Sequence, residues 1–177
     1  FQVASIISTT GFATADFVLW PQLSQLVLVL LMFCGACAGS TGGGVKCSRV
    51  LMLLRAIRRE IHQIAHPRSV EVVKLDGKVA EESTVHSVLV FVGCYSLILL
   101  GAALVVSLNE MPFDVSFSAA LTCLSNVGPG LAAIGPTGNF SGFSDLSKLV
   151  LSLCMIVGRL EIFPILVMFS ARTWRRD

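Results

Sequence analysis

Charge is scarce in this sequence. Asp, Glu, Lys and Arg make up 14% of its 177 residues, against 54% that are hydrophobic. With a mean hydropathy of +0.81, that scarcity excludes a disordered chain or an ordinary soluble domain and points to several membrane passes. Catalytic constellations are lacking too. No Ser/His/Asp set and no paired carboxylates stand out, so no enzyme is expected. Nor is there a phosphate-binding loop. That motif demands Lys and then Ser or Thr directly after its second glycine; Gly39 and Gly44 have the glycine spacing, but Val45 follows and Lys46 is followed by Cys47. No signal-peptide pattern opens the chain. Phe1 starts inside an apolar stretch and is not an initiator Met, so the expectation is a fragment lacking its N-terminal part.

What charge there is has a pattern. The cations gather at Lys46, Arg49, Arg55, Arg58, Arg59 and Arg68, and again at Arg172, Arg175 and Arg176. Both clusters flank apolar runs, so they predict cytoplasmic flanks under the positive-inside rule, with no nucleic-acid partner. The cysteines at 34, 37, 47, 94, 123 and 154 lie mostly inside apolar runs. Cys34 and Cys37 have redox-motif spacing without the βαβ context that chemistry needs, so buried, inert thiols are expected. His62 and His66 have a metal-compatible i, i+4 spacing but no third ligand, and solvated or lipid-facing rings are the expectation.

Three segments could span: Leu23–Ala38, which is short for the ~20 residues a crossing takes but has Trp20-Pro21 before it to sit at an interface and start the helix, then Val85–Leu108 and Leu146–Ala171. Residues 46–66 continue the first as an amphipathic helix along or just below the membrane. Asp76-Gly77 predicts a small hairpin after it. Two apolar segments are too short to cross. Phe113–Leu124 makes a helix of about 18 Å against ~30 Å of hydrocarbon, and FQVASIIS at the start is shorter still. Each reads as a half-helix followed by a loop inside the membrane, which needs protein or a water-filled cavity around it.

The two half-helices belong to an internal repeat. LVLVLLMFCG (26–35) aligns with LVLSLCMIVG (149–158) at six of ten positions, and Ser8-Thr-Thr-Gly11 upstream aligns with Ser125-Asn-Val-Gly128. A loop after a half-helix can present carbonyls in place of an ion's hydration shell, at the negative end of a helix dipole. Gly11 and Gly128 fit the turn, and Thr9, Thr10, Asn126 and Val127 would supply carbonyls just before each glycine. The run Gly39-Ser-Thr-Gly-Gly-Gly44 should break a helix, at about 1 kcal/mol per glycine. Spacing alone leaves two readings open, an intramembrane loop and a helix cap at the cytoplasmic surface. Arg159 falls near the middle of the third expected span, where a charge costs roughly 3 kcal/mol on insertion scales. It is expected to face a pore or a buried partner, with a structural ion pair to another helix as the alternative. Glu161, two residues on, points to a different face and is not expected to pair with it.

ISTTGFAT, CAGSTGGGVK, LSNVGPG and GRLEIF, in that order, resemble the C-terminal part of the Trk/Ktr/HKT potassium transporter superfamily. The resemblance covers essentially the whole chain. It implies four such repeats around one pore, of which this chain holds the end of the third and all of the fourth. It implies filter stretches at Thr9, Thr10, Gly11 and Phe12 and at Asn126, Val127, Gly128 and Pro129, with potassium held at the carbonyls of Thr9, Thr10, Asn126 and Val127. It implies that Gly39, Ser40, Thr41, Gly42, Gly43 and Gly44 form an intramembrane gate, and that Arg159 is an electrostatic barrier below the filter. Through the resemblance, a homodimer and a cytoplasmic nucleotide-binding regulatory subunit of the TrkA type are the expected protein partners. Membrane lipid surrounds the chain, and no cofactor is expected beyond potassium as the transported ion.

The expectation is therefore an all-α polytopic membrane protein of repeated span, pore half-helix, filter loop and span units. Residues 1–66 end one repeat, 67–84 form a cytoplasmic linker with the hairpin, and 85–177 form the next repeat. The expected location is the bacterial inner membrane, with 46–84 and the C-terminus cytoplasmic. A broken-helix transporter for another solute and a pore-less membrane subunit are the competing functions.

Overall fold

The computed structural model describes residues 1–40, 42–66, 73–75 and 78–169. Thr41, Arg68, the Asp76-Gly77 pair expected to turn the hairpin, and the basic residues Arg172, Arg175 and Arg176 lie outside the described residues. Among the described residues seven α-helices follow in order: α1 (Gln2–Ile7), α2 (Gln22–Cys34), α3 (Cys47–Ala65), α4 (Glu82–Ser107), α5 (Phe113–Ser125), α6 (Asp145–Arg159) and α7 (Phe163–Phe169). Between α3 and α4, β1 (Lys74–Leu75) pairs antiparallel with β2 (Lys78–Val79).

Among the described residues, α4 is the one helix long and apolar enough to cross a membrane. Its outer face leaves Leu97 and Leu104 exposed, while Phe91, Tyr95, Leu99 and Val106 turn inward. The half-helix α5 sits at the centre, packed on α4, α6 and α2. Pro112 and Asp114 start it, a missing N–H and a negative charge placed where a helix N-terminus accepts both. Lipid gives no hydrophobic drive between helices, so close contact has to do the work. Ala119 and Ala120 on α5 are fully buried. On α6, Gly158 lies so near α5 that a β-carbon there would overlap the Leu124 carbonyl.

Two expected spans are interrupted. The first ends at Cys34 rather than Ala38, because Gly35 adopts φ 64° and ψ −163°, which an L side chain resists. At 13 residues α2 is about 20 Å long and stops short of the far side. The third, expected unbroken over 146–171, stops at Arg159 and resumes as α7 at Phe163. Pro164 is the physical reason: it has no N–H for the carbonyl four residues back, and its ring would strike that carbonyl. In the sequence repeat Gly35 aligns with Gly158, so both inner helices break at nearly the same level.

Candidate ion pathway

The loops after α1 and α5 share a backbone design. Thr9 and Asn126 are left-handed, at φ 55° and 56°, and Gly11 and Gly128 follow at φ 77° and 109°. Both half-helices close with the same pair of bonds. Thr9 N–H donates to Ile6 O at 3.1 Å and Thr10 N–H to Ser5 O at 2.9 Å; Asn126 N–H donates to Cys123 O at 3.2 Å and Val127 N–H to Thr122 O at 3.0 Å. A hydroxyl on each half-helix then holds its loop. Ser5 Oγ donates to Phe12 O at 2.6 Å, and Thr122 Oγ1 to Pro129 O at 2.9 Å while accepting Gly128 N–H at 3.0 Å. Ser118 Oγ accepts Leu131 N–H at 3.1 Å, and Tyr95 and Ser125 share a buried hydrogen bond of 2.8 Å. Buried polar groups must find partners, so these hydroxyls and the loop backbone fix one another.

The two loops meet. A β-carbon on Gly11 would overlap the Val127 carbonyl oxygen and come within 3.2 Å of Pro129 Cδ. A cavity of about 470 Å³ opens over them, lined in part by Phe12, Pro129, Ile134 and Phe140. Asn126 also reaches sideways, its Nδ2 donating to Met155 O of α6 at 3.0 Å, so its side chain ties the loop to the inner helix. Thr10 shares a hydroxyl bond of 2.7 Å with Ser8.

The glycine segment between α2 and α3 folds back into the bundle. Val45 N–H donates to Phe33 O and Cys47 N–H to Ala36 O, each at 3.1 Å, which ties the exit of the segment to its entrance. Gly35 packs on Gly43 and Gly44, with Gly44 at φ 82°. A β-carbon on Gly42 would sit 3.0 Å from Thr9 Oγ1, and one on Gly43 2.6 Å from the Ser125 carbonyl carbon. The segment thus touches the base of both loops. Ser40 Oγ accepts Gly42 N–H at 3.2 Å, and Gly39, at φ 83°, has open space around it.

Sequence reasoning grouped Lys46 and Arg49 with the cytoplasmic cations and gave Glu161 no partner. The structure pairs Lys46 Nζ with Glu161 Oε1, and Arg49 Nη2 with Glu161 Oε2 at 2.8 Å. The Arg49 guanidinium also lies 4.1 Å from the centre of the Phe91 ring. Arg159 is the last residue of α6 and is exposed on this chain, at a helix end rather than mid-span. Pro164 was the signal that placed this break. The thiols divide: Cys123 and Cys154 are buried as expected, while Cys37 and Cys47 are exposed. The His62 and His66 rings lie 4.9 Å apart, and among the described residues no group of three or more His, Cys, Asp or Glu could hold a metal.

Two half-helices, each followed by a loop lashed to it and by a helix that breaks partway, define a helical membrane protein of the repeated pore-loop class. The family model described as TrkH, cation transport protein, matches residues 1–176, and the chain belongs to that family. It is 34% identical over 175 residues to the Trk system potassium uptake protein TrkH of Escherichia coli K12, and 36% identical over 177 residues to TrkG of the same strain. The crystal structure of the potassium transporter TrkH from Vibrio parahaemolyticus superposes with a TM-score of 0.87 at 37% identity, covering 98% of this chain and 37% of that one. The chain spans 36% of the length of these E. coli relatives while 99% of it is matched.

Proposed function

We propose that the chain is the C-terminal part of the ion-translocating subunit of a potassium uptake system. The ion sits at the carbonyls of Thr9, Thr10, Asn126 and Val127, in loops that run on through Gly11 and Phe12 and through Gly128 and Pro129. The observation that supports this reading is the meeting of the two loops, with Gly11 against the Val127 carbonyl oxygen. Two loops cannot enclose a cation, so the complete polypeptide supplies two more. Residues 39–44 form the gate beneath the filter. Arg159, at the break in the last inner helix, adds positive charge that slows cations.

The orientation follows from the basic residues: 46–84 and the C-terminus lie in the cytoplasm of a bacterial inner membrane protein. A nucleotide-binding regulatory subunit acts from that side, and the complete protein is a homodimer. Rubidium uptake by the complete polypeptide in liposomes tests the reading. Uptake that prefers potassium and rubidium over sodium, and a preference that falls in Gly128→Ser, are expected. Selective cation uptake that is absent, or indifferent to that change, would sink it.

A further inference from the structure

The geometry points to a latch: Glu161, by pairing with Lys46 and Arg49, holds the glycine segment closed against the broken end of the last inner helix. This deepens the reading of residues 39–44 as a gate and rests on it.

Lys46 and Glu161 are 115 residues apart, and each stands at one of the two helix breaks. Lys46 is the last residue of the glycine segment and caps α3; Glu161 lies between α6 and α7. Both are non-glycine residues at positive φ, 71° and 57°. A side-chain-bearing residue stays there only when its surroundings over-determine it, and such strain collects at switching elements. Lys46 is also buried, 8% exposed, so its ammonium depends on this carboxylate. Arg49 is the second arm, clamped between Glu161 and the face of Phe91 on α4.

The mechanical link to the pore is short. Val45, next to Lys46, is bonded to the end of α2, and Gly43 lies against Ser125 at the base of the second loop. On the other side, Met155 and Gly158 of α6 contact Asn126, the first residue of that loop. One carboxylate therefore joins the segment under the filter to the helix that holds the filter. Removing its charge takes away the attraction that holds Lys46 and Arg49, both on the α3 side, to the α6 break, and the segment is no longer drawn against it.

The test is resting rubidium flux through the complete polypeptide in liposomes, without any regulatory subunit. Glu161→Gln and Lys46→Gln should each raise it by about fivefold or more, the scale of an ordinary coupling between two states. Glu161→Asp should restore the wild-type rate. The Lys46→Gln/Glu161→Gln pair should conduct no more than Glu161→Gln alone, since that change already breaks the Lys46 pairing. The rubidium-to-sodium ratio should stay unchanged, because the filter loops are untouched. If Glu161→Gln fails to fold, Lys46→Gln carries the test, as it leaves Glu161 paired with Arg49. Single variants that conduct like the wild type, additive effects, or an Asp variant as leaky as the Gln variant would each overturn the latch. Absence of rubidium flux from the wild type and from every variant alike would overturn the gate reading together with it.

Discussion

Ser5 and Thr122 do the same work in two repeats. Each places its hydroxyl on the carbonyl seven residues downstream, Phe12 in one loop and Pro129 in the other, at 2.6 and 2.9 Å. The repeat is therefore preserved in the bonds that hold the loop as well as in sequence. It survives a change from Ser to Thr because only the hydroxyl is used.

Thr122 makes one bond more than Ser5, accepting the N–H of Gly128. Thr122→Val keeps the shape and removes the partner of the Gly128 N–H and of the Pro129 carbonyl, on an exposed and a half-buried residue. A loss of about 1 kcal/mol per broken bond is expected. The apparent thermal midpoint in detergent should fall further for Thr122→Val than for Ser5→Ala, and Thr122→Ser should recover most of it.

Gly11 and Gly128 differ in what surrounds them. Both have positive φ, but a β-carbon at Gly11 also strikes Val127 O, while Gly128 has open space. Gly11→Ala should disrupt both loops and lower rubidium uptake more than Gly128→Ala, which carries backbone strain alone, of order 1–2 kcal/mol. Comparable losses in the two variants would contradict the contact between the loops.

The glycine segment offers a graded pair. A methyl at Gly43 meets the Ser125 backbone at 2.6 Å, whereas one at Gly42 meets the Thr9 side chain at 3.0 Å, which can turn aside. Gly43→Ala should force the segment off Ser125 and, under the proposed gate role of residues 39–44, raise resting flux, with Gly42→Ala changing it much less. Equal responses would count against this seating of the segment.

Tyr95 ties α4 to the end of α5 through Ser125. Tyr95→Phe should lower stability by about 1 kcal/mol, the usual net value of one hydrogen bond. Combined with Ser125→Ala, the loss should be smaller than the sum of the two singles, as for residues that share a partner. Thermal unfolding of the four proteins measures this directly.

Much of the architecture is legible in the chain itself. Hydrophobic length marks α4 as a span and α5 as too short to be one, because a bilayer has a fixed thickness. The repeat is visible because the same backbone problem, a turn at positive φ after a half-helix, calls for glycine at 11 and 128. The break after Arg159 was legible and missed: Pro164 announces it by removing a donor. Thr9 gave no such signal, since a non-glycine residue at positive φ is tolerated only when its neighbours impose it.

Local chemistry thus determined where helices start, stop and fail, since each of those events depends on a few consecutive residues. Which residues face one another across those failures was decided by the packed bundle alone. Lys46 and Glu161, or Gly11 and Val127, are brought together by helices whose approach depends on small side chains at many separate positions. No spacing rule along the chain encodes a contact of that kind, because its geometry exists only once the helices have closed on each other.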